Sequence, residues 1–77
     1  MTVIERSQQV LTHLLNSPQG DVYSLEVVDL QKVMSISQQE LELVVKRLRI
    51  LGHRINSICI KNYGLKRIQM NQGELIL

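Results

Sequence analysis

The 77-residue chain predicts a small, mainly α domain of the α+β class, a three-helix bundle followed by a β-hairpin. Three observations predict it. Apolar residues recur at helical spacing through three segments; beyond Gly52 the period changes to two; and Gly, Pro, Asn and Ser gather between the segments. A chain of this length holds one core, so residues 1–77 read as a single domain. With 44% apolar residues but no Phe or Trp and two Tyr, that core must be made of Leu, Ile, Val and Met.

Val3, Ile4, Val10, Leu11, Leu14 and Leu15 share one side of an amphipathic helix from about residue 2 to 16. The breakers Asn16-Ser17-Pro18-Gln19-Gly20-Asp21 turn the chain, and Val22-Tyr23 leave room for no more than a short strand. Helix 2 is expected over about 24–34, with Ser24 as N-cap, Glu26 and Asp29 near the positive end of its dipole, and Val27, Leu30, Val33 and Met34 on its apolar side.

After the short break Ser35-Ile36, the run Ser37-Gln38-Gln39-Glu40 is a capping box, flanked by Ile36 and Leu41 as a hydrophobic staple. Helix 3 is expected over about 37–51, burying Leu41, Val44, Val45, Leu48 and Leu51, with Gly52 ending it in the left-handed conformation. From there Ile55, Ser57 and Cys59 alternate with Asn56, Ile58 and Ile60 in a strand, Lys61-Asn62-Tyr63-Gly64 turns, and Leu65 to Met70 returns. The hairpin therefore covers about 53–70, and residues 71–77 form a turn and an apolar tip, Leu75-Ile76-Leu77.

Three helices, the last two separated by about three residues, and then a hairpin describe a helix-turn-helix with a wing. Particular motifs sharpen this. Met34-Ser35-Ile36-Ser37 stands where one family has Leu-Gly-Val-Ser before a helix. Leu48-Arg49-Ile50-Leu51-Gly52-His53-Arg54-Ile55 matches that family's Leu-Arg, two residues, Gly-Tyr, one residue, Ile, without a gap. Ile60-Lys61-Asn62-Tyr63 and Leu65 fall on its Gly-Lys-Gly-Tyr wing tip and following Leu.

Residues 3–68 thus resemble the N-terminal winged-helix domain of the biotin operon repressor and related small bacterial regulators. The resemblance implies a sequence-specific double-stranded DNA-binding transcriptional regulator of a bacterial, phage or plasmid gene. It brings no biotin chemistry, because nothing here resembles the ligase domain of the biotin enzyme. Three positions depart: Ser35 replaces the turn Gly, and Ile60 and Asn62 replace the two wing glycines. Asn tolerates positive φ, whereas Ile does not.

On a helical wheel, the side of helix 3 opposite its core holds Gln39, Glu42, Leu43, Lys46 and Ile50, with Gln38 at the N-terminal edge. Gln pairs with adenine in two places, Lys46 can bond guanine or phosphate, Glu42 can accept from cytosine, and Leu43 can meet a thymine methyl. Ser37 and the free amides at the helix start suit a phosphate. Lys61, Asn62, Lys66 and Arg67 are the wing's candidate DNA contacts. From Lys46 onward seven cations stand against Glu74 alone, although the net charge is only +2. Physiological specificity requires two half-sites, so a homodimer is expected, through the C-terminal tip or helix 1.

A competing expectation is a protein-docking module without DNA binding, using Leu43, Ile50 and the C-terminal tip. The acidic start of helix 3, Glu40 and Glu42, favours it. His53 and Tyr63 are expected to pack, Tyr63 at the base of the wing, and Cys59 to be a small core residue. No catalytic set, glycine-rich phosphate loop, cofactor motif or metal-ligand spacing occurs, so neither an enzyme nor a cofactor is expected. The lone cysteine points to a reducing compartment, and no apolar run approaches a membrane span, so the expected location is cytoplasmic.

Overall fold

The computed structural model describes residues 2–72. In chain order its elements are α1 (Val3–Leu15), β1 (Pro18–Gln19), β2 (Val22–Glu26), α2 (Val27–Met34), α3 (Gln38–Ile50), β3 (Ile55–Ile60) and β4 (Gly64–Asn71). The protein is α+β, and the described residues form three helices and one antiparallel sheet of order β1-β2-β4-β3. The expected order of three helices followed by a hairpin is corrected by β1 and β2, which stand between α1 and α2 and join the same sheet.

The reason lies far along the chain. β2 pairs from Val22 opposite Asn71 to Glu26 opposite Arg67, so Ser24 is a buried mid-strand residue opposite Gln69 and not a helix cap. Helix α2 starts three residues later than expected, from Glu26, whose side chain makes no capping bond. Strand pairing with β4 outweighs the local preference of Ser24 for a cap.

The helix starts that do carry side-chain caps are built alike. Thr2 Oγ1 accepts from the Glu5 amide at 3.2 Å, and Ser37 Oγ from the Glu40 amide at 3.1 Å, each acid reaching back to its cap. The end of α3 is a Schellman arrangement: the His53 amide donates to the Leu48 carbonyl at 3.0 Å and the Gly52 amide to Arg49 at 3.1 Å. This closure needs the left-handed φ of +101° that Gly52 supplies.

One core holds the layers together. Val10 and Leu14 of α1, Val27 and Leu30 of α2, and Leu41, Val44, Val45 and Leu48 of α3 meet Ile55, Leu65, Ile68 and Met70 from the sheet, with Ile36 buried at the corner before α3. Inward residues of β4 are three and then two apart, which strict alternation forbids. A bulge resolves this: Ile58 faces Arg67 while Cys59 faces Leu65, leaving Lys66 as the extra residue.

Several expected core positions lie outside. Val3, Ile4, Leu15, Val33 and Leu51 are exposed, Leu51 at 59% because it follows the last full turn of α3. Cys59 is exposed as well, and Tyr63 is 80% exposed within the turn rather than packed beneath it. The expected tip, Leu75-Ile76-Leu77, lies outside the described residues.

Candidate functional site

Helix α3 presents one long side to the core and leaves the opposite side open. Gln39, Glu42, Leu43, Lys46 and Ile50 are all exposed, as the wheel places them. Leu43 is 54% and Ile50 76% accessible, a large apolar area for an unpartnered helix face. The capping box holds the start of this helix. Hydrogen bonds from the Ser37 amide and hydroxyl, with the nearby Arg6 cation, keep the Glu40 carboxyl below its ordinary pKa.

Arg6 is a residue the sequence did not single out. It crosses from α1 to donate to the Met34 carbonyl at 2.7 Å, at the C-terminus of α2, and its Nε lies 3.8 Å from Glu40 Oε2. A single guanidinium thus joins the end of α2 to the start of α3, across a corner in which Ser35 takes φ +53°. Ser can occupy the left-handed region where glycine is favoured, at a cost in strain.

The β3–β4 hairpin is held against the N-terminus of α3 by Gln38. Its Nε2 donates to the Leu65 carbonyl at 2.9 Å, and its Oε1 accepts from the Leu65 amide at 3.0 Å. The side-chain amide therefore mimics a strand neighbour. Gly64 makes the approach fit, since a Cβ there would lie 3.0 Å from Gln38 Oε1 and its φ is +81°. Gln38 is consequently removed from the free contact residues: both ends of its amide are occupied within the chain.

Arg67 is likewise corrected. The bulge turns it to the sheet face away from the core, where its guanidinium pairs with Glu26, Nε to Oε1 at 2.9 Å. Lys61, Asn62 and Lys66 are exposed. Asn62 takes φ +76° and the Tyr63 amide donates to the Ile60 carbonyl at 2.9 Å, which is a turn of type II with Asn at its third position. Ile60 has no positive φ, so its departure from glycine needs no strain.

The site residues fall into three groups. Gln39, Leu43 and Lys46 look outward from α3; Lys61 and Asn62 sit on the hairpin turn; Gln38 and Lys66 line a groove with Val28, Ile60 and Tyr63. Glu42 instead lines a cleft between α3 and β3 with Val45, Arg49, Ser57, Cys59 and Leu65. Tyr63 and Arg49 were not foreseen here. A helical wheel does place Arg49 on the flank of α3, but not its partners on β3.

Among the described residues no group of three His, Cys, Asp or Glu side chains could hold a metal ion, and no helix is long and apolar enough to cross a membrane. No protein-family model, curated protein or solved structure matches the chain.

Proposed function

We propose that the chain is a winged helix-turn-helix protein that binds double-stranded DNA sequence-specifically, with α3 in the major groove and the β3–β4 hairpin as the wing on the backbone. The observation that carries this is the open face of Gln39, Leu43 and Lys46 on a helix whose N-terminus is tied to a projecting hairpin. A helix of this width fits a major groove, and its donor and apolar groups suit base edges. The corner from Ser35 to Ser37 and the return of β2 to the hairpin support the same architecture.

In this reading Gln39 pairs with adenine, Lys46 with guanine or a phosphate, Glu42 with cytosine and Leu43 with a thymine methyl. The Gln38 and Gln39 amides at the start of α3 take a phosphate, and Ser37, whose hydroxyl and amide are engaged with Glu40, positions them. Lys61, Asn62 and Lys66 hold the backbone beside the wing, whereas Gln38 and Arg67 position it. The small contact area of one such domain calls for a homodimer on two half-sites, and the proposed role is regulation of transcription in the cytoplasm.

Selection from random oligonucleotides tests this: an inverted repeat is expected, and failure to enrich any motif counts against it. Lys46→Ala and Lys61→Ala should each leave the fold intact and lower the slope of log affinity against log salt by about 1. Unchanged slopes in both variants would remove the docking proposed here.

The exposure of Leu43 and Ile50 favours a second reading, a winged-helix module that docks on protein and not on DNA. A salt series separates the two. A DNA binder loses affinity steeply with salt, and an adaptor shows no DNA affinity to lose.

A further inference from the structure

The two edges of the sheet are unlike. β1 is two residues long and begins with Pro18, a short, proline-marked edge that discourages further pairing. β3, at the other edge among the described residues, is six residues long, Ile-Asn-Ser-Ile-Cys-Ile, with neither a charge nor a proline. Ile58, Cys59 and Ile60 are exposed along it. An open edge of that length and composition is a template for another strand.

Its backbone is directed outward at known positions. The Ile55 amide donates to His53 at 3.1 Å and its carbonyl accepts from Arg49 Nε at 2.8 Å, so Ile55 turns its polar groups away from β4. Alternation along an antiparallel strand then points the amides and carbonyls of Ser57 and Cys59 to the open edge. Beside that edge runs the cleft between α3 and β3, with Val45 and Leu65 as its apolar lining and Arg49 and Glu42 from α3. A second cleft, sharing Arg49, continues past His53 and Arg54.

Charge selects the occupant. Arg49, Arg54 and Lys61 surround the edge against Glu42 alone. A second copy of this chain is disfavoured, since it would bring the same cations to the edge and set like charges, not opposite ones, around the pairing. We infer that β3 accepts an extended acidic peptide from a partner protein as a fifth strand, with alternate side chains entering the α3–β3 cleft. Main-chain bonds supply affinity in such strand addition, and the cleft supplies selectivity. This does not depend on DNA binding.

The probe is a fluorescein-labelled peptide of alternating Glu and Val, about eight residues long so that it spans the strand. Fluorescence anisotropy with the whole chain should show binding, weakened roughly tenfold or more when alternate peptide nitrogens are methylated or Lys replaces Glu. Cys59→Pro removes an outward amide while leaving the β4 ladder intact, and should abolish binding with an unchanged circular dichroism spectrum. Equal binding by the methylated peptide, equal binding by the Lys peptide, or full binding by folded Cys59→Pro would each overturn the inference. Self-association of the free protein that Cys59→Pro abolishes would also overturn it, assigning the edge to a second copy. If Cys59→Pro does not fold, the methylated peptide decides the matter alone.

Discussion

Helix α3 is tied to the hairpin at both ends, by unlike means. At its N-terminus Gln38, half-buried and neutral, gives and receives one hydrogen bond with a single backbone unit, Leu65. At its C-terminus Arg49, exposed and charged, donates to the Ile55 carbonyl and at 3.1 Å to Ser57 Oγ. A buried polar group left without a partner costs the full price of its desolvation, whereas an exposed one finds water. The Gln38 tie should therefore fix the hairpin's position, while the Arg49 tie shapes a surface.

The sharpest way to break the N-terminal tie leaves Gln38 itself in place. Gly64→Ala puts a methyl 3.0 Å from Gln38 Oε1 and forces an L-residue to φ +81°. The strain and the displaced amide together should lower stability by about 2 to 3 kcal/mol, measured by urea unfolding. A loss below about 0.5 kcal/mol, within the range of ordinary surface substitutions, would show that the turn relaxes freely and that the tie is loose.

Gln38→Ala removes the side chain and leaves the Leu65 amide and carbonyl without it. The expected loss is about 2 kcal/mol, with faster hydrogen exchange at the Leu65 amide. Gln38→Glu keeps an acceptor for the Leu65 amide but sets its second carboxylate oxygen against the Leu65 carbonyl, so at neutral pH its loss should match or exceed that of Gln38→Ala. Equal protection of Leu65 in all three proteins would mean that the hairpin is placed by its core residues alone.

These ties also mark where the sequence stops being informative. Ser37, Glu40, Ile36 and Leu41 announce the start of α3 because capping is settled within one turn, and Gly52 announces its end for the same reason. The open face of α3 followed from the wheel alone, since side chains at fixed angles must face away from an apolar stripe. Gln38 was indistinguishable there from Gln39, because its partner backbone lies 27 residues away. Arg6 reaches 28 residues to Met34, and Arg67 reaches 41 back to Glu26. β2 was hidden in the same way: Ser24 carries a cap's local signature, and only the return of β4 makes it a strand residue. The bulge at Lys66 decided which basic residues of β4 are free, and nothing in an alternating pattern announces an extra residue.

The capping box contributes a third effect, smaller and dependent on pH. Ser37→Ala should cost about 1 kcal/mol at neutral pH. The Glu40 carboxyl is held below its ordinary pKa in the folded protein, so folding favours its charged form. Its contribution is complete above the unfolded value and disappears as pH falls through the lowered folded one. The stability difference between wild type and Glu40→Gln should therefore shrink on acidification across that interval, in urea unfolding at a series of pH values. A constant difference would mean that the carboxylate's charge has no part in capping.

Arg49→Ala should have the smallest effect on the fold. Arg49 is itself exposed and its bond to Ser57 lies at the surface, while that to the Ile55 carbonyl is part-buried, so a change of about 1 kcal/mol or less is expected. Its consequence should lie elsewhere: the Ile55 carbonyl and Ser57 hydroxyl become free, and the α3–β3 cleft loses its shared cation. Arg49→Lys keeps the charge but cannot reach both acceptors with one planar fork. If charge governs the cleft, Arg49→Lys should bind the acidic peptide nearly as well as the wild type while Arg49→Ala binds it less. If the fork governs it by fixing β3, both variants should weaken binding alike, and the comparison between the ends of α3 narrows: each would then be a device for holding a strand, differing only in how much of the fold rests on it.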